Sequence, residues 1–148
     1  MATPKTLGGA ARNRTDTPRT RTRSPGIRQD ALVVLIEPAN SVILVVGREE
    51  FTVPTTFAEQ IAAATTDCIA VGVRSVDDGP TTVTLVPNAT GTALMRLGSF
   101  TIETEGHVSV RDVYNREYTA LGVDAGPCLV TVWGNDRDEP DELIVEVG

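Results

Sequence analysis

Apolar residues in this chain fall into short runs separated by turn-forming residues, and no stretch repeats at helical period for long. The first run, Ala31 to Ile36, is continuous rather than alternating and predicts a strand covered on both faces, ended by Pro38. A second strand over Ser41 to Val46 follows the Pro38-Ala39-Asn40 turn, with Glu49 to Val53 extending the sheet beyond Gly47. Phe57 to Ala64 is the single helical candidate, with Thr56 as N-cap and Glu59 three positions on; a loop is the competing reading. Cys68 to Arg74, the turn Asp77-Asp78-Gly79-Pro80 and Thr81 to Val86 read as a hairpin. Leu94 to Thr104, reversing at Glu105-Gly106 into Val108 and Val110, reads as a second. Then come Tyr118 to Val123, the turn Asp124 to Pro127, Cys128 to Trp133, an acidic loop Gly134 to Glu142 and a last strand Leu143 to Val147. The expectation is an all-β sandwich or partly closed barrel of about eight or nine short, mostly antiparallel strands, with at most one short helix. Strand order is not legible in this pattern.

Charge divides the chain differently. Residues 1–28 carry seven basic side chains against Asp16, a net of +6; from Gln29 onward six arginines face nineteen carboxylates, a net of −13. Low hydrophobicity, self-repulsion and Thr-Arg-Pro punctuation predict a disordered tail over 1–29 and an acidic β-sandwich domain over 30–148. Lys5 to Arg28 lacks the apolar core of a secretory signal, and Pro4, Pro18 and Pro25 break the amphipathic helix of a transit peptide. No apolar run approaches the length of a membrane-spanning helix. The expected location is therefore the cytoplasm, or a particle assembled there. Arginine-dominated basic content with abundant Ala, Val, Gly and Thr suits GC-rich bacterial coding.

Candidate chemistry is sparse. His107 is the single histidine, and Ser109 and Asp112 are its strand neighbours, whereas triad members converge from separate elements. It reads as a solvent-exposed turn histidine. Cys68 and Cys128 sit in strand-like apolar surroundings and read as inert core thiols; a disulfide needs neighbouring strands and an oxidising compartment. The run Asn135 to Glu142 invites a calcium reading, but it lacks the EF-hand glycine and terminal bidentate glutamate, and Arg137 intrudes. No catalytic residue, cofactor or metal is expected, and the chain reads as a non-enzyme.

The short two-faced first strand, the Val71-Gly72-Val73-Arg74 strand leading through Asp77-Asp78-Gly79-Pro80 to Thr81-Thr82-Val83-Thr84-Leu85, and the later Gly98-x-Phe100-x-Ile102 hairpin resemble small acidic bacterial β-proteins of the competence-J type. The resemblance spans Ala31 to Val147. It implies inhibition of a nuclease by protein contact and assigns no individual residue.

These readings converge on an acidic protein-interaction domain that binds a basic partner, in the manner of an inhibitor or immunity-type protein. The expected contacts are Asp136, Asp138, Glu139, Asp141 and Glu142, with Trp133 as core cap or apolar anchor. Acids at Glu103, Glu105, Asp112, Glu117 and Asp124 extend the negative surface. The alternative is a structural subunit of a phage or other assembly, in which copies of the chain associate with one another. In it Arg12, Arg14, Arg19, Arg21, Arg23 and Arg28 form an arm that orders on a neighbouring subunit or on nucleic acid. Nucleic acid would be met through this tail alone.

Overall fold

The computed structural model describes residues 31–87, 89 and 92–148. Ten strands form in order: β1 Leu32–Ile36, β2 Val42–Val46, β3 Ala62–Ala64, β4 Cys68–Gly72, β5 Thr81–Val86, β6 Met95–Thr104, β7 His107–Arg111, β8 Glu117–Gly122, β9 Gly126–Gly134 and β10 Glu142–Val147. They make two five-stranded sheets, I in the order β1-β5-β10-β9-β6 and II in the order β3-β4-β2-β7-β8. Every pairing is antiparallel except β5 with β10. The domain is a sandwich, and among the described residues there is no α-helix, only the 3-10 turns Ala39–Ser41 and Val76–Asp78. Residues 57–60 form a loop rather than the helix considered, and Ala62–Ala64 is a strand. None of the described helical segments is long and apolar enough to cross a membrane.

The core lies between the sheets. Ile43 and Val45 of β2, Ile69 and Val71 of β4, and Val108 and Val110 of β7 meet Val83, Leu85, Val130, Val132, Leu143 and Val145 of sheet I. Because alternate residues of a strand point to opposite faces, Leu44, Val46, Cys68 and Ala70 face outward from sheet II. They are nevertheless buried, with Phe51 and Phe57 packed against them. Residues 47–60 thus run as a cover over the outer face of sheet II, where the sequence predicted a continuing strand over Glu49 to Val53.

The run read as doubly covered, β1, is instead an edge strand of sheet I. Its inward residues pack on the core while Val33 and Leu35 are 62% and 64% exposed. The continuous run that is covered on both faces is β2.

The predicted turns form, but two predicted hairpins do not. β4 and β5 belong to different sheets, as do β6 and β7, so the Asp77–Pro80 and Glu105-Gly106 turns carry the chain across the sandwich. Hairpins within a sheet are β3–β4, β7–β8 and β9–β10.

Candidate functional site

The pairings sort the loops into two poles. β9 pairs with β6 so that Gly134 lies opposite Met95 and Gly126 opposite Thr104. Loop 134–142 therefore sits at the opposite end of sheet I from Glu103, Glu105 and Asp124. The single extended negative surface expected over these residues is divided between the two ends, and Asp112 is withdrawn from it altogether by full burial.

Around loop 134–142 the fold adds acids from elsewhere in the sequence. β10 runs parallel to β5, with Glu142 opposite Thr82, which brings the Asp77-Asp78 turn alongside. β1 ends beside the start of β5, Ile36 opposite Thr81, which adds Glu37. Arg74 joins two of the loops: its backbone N–H donates to the Pro140 carbonyl at 2.9 Å and its guanidinium pairs with Asp141 at 3.0 Å.

Within the loop the carboxylates divide their work. Asp136 accepts the backbone N–H groups of Asp138 and Glu139 at 2.8 and 2.9 Å, and these donors hold its carboxyl below the usual range. Asp141 is engaged with Arg74 and with the Asn135 side-chain amide. Asp138, Glu139 and Glu142 remain exposed and face solvent. Trp133 is half-buried, lies outside the core clusters, and donates its indole N–H to Glu146 at 3.0 Å. It is an outward-facing side chain rather than a cap on the core.

Of the six arginines after residue 28, Arg48, Arg74, Arg111 and Arg116 are in ion pairs within the domain. The other two, Arg96 and Arg137, lie at this pole beside Asp138. Arg12, Arg14, Arg19, Arg21, Arg23 and Arg28 lie outside the described residues.

Two polar clusters were not anticipated. On the outer face of sheet II, Arg111 is 3% exposed. It donates to Ser109 Oγ at 2.9 Å, to Asn115 Oδ1 at 2.7 Å and to Glu49 Oε2 at 2.8 Å, and lies 5.7 Å from the Phe51 ring centroid. His107 Nε2 is 3.7 Å from Glu49 Oε2, so the histidine flanks this cluster rather than standing free at a turn. Ser109 is fully buried and committed to Arg111, which leaves it no role as a nucleophile.

Asp112 organises the β7–β8 turn. Burial would raise its carboxyl, but the backbone N–H groups of Arg116 and Tyr114, the Tyr118 hydroxyl and the Arg116 guanidinium outweigh it and hold it below the ordinary aspartate value. The Tyr118 hydroxyl is correspondingly raised, by burial and then by its bond to Asp112. An Arg or Asp alternating with valines is indistinguishable in sequence from a solvent-facing residue, so nothing marked either cluster.

Cys68 and Cys128 are free and lie in different sheets. Among the described residues no three His, Cys, Asp or Glu side chains are grouped to hold a metal ion.

No family model matches the chain, and no curated protein matches it. Among solved structures, ComJ from Bacillus subtilis, an inhibitor of the DNA degrading activity of NucA, superposes with a TM-score of 0.58 at 11% identity over 80% of this chain and 93% of its own. The chain shares the fold of ComJ. A protein described as crocagin biosynthetic gene J matches at a TM-score of 0.49 and 14% identity, over 80% and 96% of the two chains. The resemblance carried by the strand and turn pattern thus extends to ComJ's three-dimensional arrangement.

Proposed function

We propose that this domain is a non-enzymatic binding protein whose acidic pole engages a basic surface of a partner protein and blocks it, as an inhibitor or immunity-type antagonist would. The observation that carries the reading is the convergence of Asp138, Glu139 and Glu142 with Asp77, Asp78 and Glu37 from separate loops, around a loop that its own hydrogen bonds hold rigid. Preset, like-charged carboxylates are costly for an isolated domain and favourable opposite a cationic partner, whose approach they steer. A nuclease fits that description, since its phosphate-binding surface must be basic. The shared fold with ComJ supports the same partner class.

The test is titration of the full chain against NucA and against other basic nucleases, reading both DNA degradation and association rate. Inhibition should weaken with salt, and Asp138→Lys with Glu139→Lys should slow association about tenfold at low ionic strength. Unchanged binding by that double variant would exclude the loop; no binding across the set would remove the inhibitor reading.

A further inference from the structure

A sheet edge exposes unpaired N–H and C=O groups and templates another strand, so natural edges are shortened, charged or bulged. Three of the four edges here are treated in that way. β3 is three alanines long. β8 begins at Glu117, where its pairing with β7 shifts register. β6 carries Arg96 and Glu103, and its pairing with β9 is interrupted between Val132 and Trp133.

The fourth edge has none of these devices. β1 is Leu-Val-Val-Leu-Ile, without charge or proline, in uninterrupted register with β5. Among the described residues no strand pairs with its other side. Val33 and Leu35 stand beside that open edge on the outer face.

We propose that β1 pairs antiparallel with β1 of a second copy, continuing sheet I across a two-fold axis. An antiparallel two-fold pairing is self-complementary and closes at two subunits, with Val33 and Leu35 of one copy beside the same residues of the other. Charge favours a second copy over an unrelated strand. The stretch with net +6 over residues 1–28 leads directly into the start of β1, whereas Glu37 and the Asp77-Asp78 turn lie at the end of β1. Antiparallel pairing sets the start of each β1 beside the end of the other, so the cationic stretch of one copy meets the acidic pole of its mate. The mate would meet the same Glu37, Asp77 and Asp78 that the proposed function assigns to a basic partner, so the two readings share a surface, but the solution mass tests the pairing whether or not a nuclease binds.

Light scattering of the full chain over a dilution series tests it. The expected mass is twice the 15.7 kDa of one chain, falling to one chain on dilution. Val33→Lys with Leu35→Lys should remain monomeric throughout, while Leu129→Lys, on the same outer face but on β9, should still dimerise. Hydrogen exchange on the unmodified chain gives a reading that no folding defect can confound: the alternate β1 amides that do not bond to β5 should be protected in concentrated solution and lose that protection on dilution. A single-chain mass at every concentration, a dimer that survives the β1 double variant, or protection of those outward-facing amides at every concentration would each overturn the proposal, the last by showing that the chain covers its own edge.

Discussion

Arg111 and Glu49, 62 residues apart in sequence, meet at 2.8 Å and fasten the 47–60 cover to the outer face of sheet II. The two ends of this pair are not equivalent, since Glu49 is 66% exposed and Arg111 only 4%. Removing Glu49 leaves Arg111 with Asn115, Ser109 and Glu117, whereas removing Arg111 orphans the buried Ser109 hydroxyl and uncovers Phe51. Arg111→Met should therefore destabilise by about 1–3 kcal/mol and Glu49→Gln by about 1 kcal/mol or less. Chemical denaturation measures both, and hydrogen exchange should show residues 48–57 opening first in Arg111→Met.

Asp112 gives stability a definite pH dependence. Its folded pKa lies below the unfolded value of about 3.9, so its contribution is full above that pH and declines as acidification approaches the folded pKa. Asp112→Asn should flatten the stability profile below about pH 4 and lower stability at neutral pH, because the Arg116 guanidinium loses its charged partner. Denaturation midpoints measured from pH 7 downward check the sign; a profile as steep as that of the unmodified chain would count against the assignment.

The thiols should react very differently. Cys68 is fully buried, and burial, with the charge of Asp67 adding and that of Arg111 opposing, pushes its pKa up to about 12. Cys128 is raised by burial but is only partly covered. A thiol reagent should label Cys128 readily in the native protein and reach Cys68 only when the 47–60 cover opens, so Arg111→Met should accelerate the slow phase.

Gly47 marks where strand β2 gives way to that cover. A Cβ there would collide with the Glu103 carbonyl oxygen, a backbone atom that cannot step aside. Gly47 also donates its N–H to Asp67 and accepts from Glu105. Gly47→Ala should cost about 1–3 kcal/mol in thermal or denaturant unfolding.

Such close approaches show which parts of the structure the sequence can announce. Ala31 to Ile36 and Ser41 to Val46 look alike as apolar runs, yet one lies at an open edge and the other is sealed on both sides. The difference is made by residues 47–60, whose own polar sequence carries little sign of a cover beyond Phe51 and Phe57. Turn chemistry at Asp77–Pro80, Glu105-Gly106 and Asp124–Pro127 locates the reversals, because Gly and Pro dictate local backbone geometry. It does not say whether the returning strand joins the same sheet, and in all three places the chain crosses to the other one. Asp136, Asp138 and Glu139 were legible as a solvated loop because they are contiguous. Glu37 and Asp77 joined them only through the parallel pairing of β5 with β10, a long-range contact that local pattern does not encode.

That pairing places β10 in the middle of sheet I, with β1 and β5 on one side and β9 and β6 on the other. Without β10 the sheet would be two separate halves, β1-β5 and β9-β6, each missing the strand that pairs with its inner edge. Sheet I can close only once residues 142–147 are in place. Any product cut short before Glu142 would therefore lack both the central strand and the register that brings the Asp77-Asp78 turn and Glu37 alongside loop 134–142.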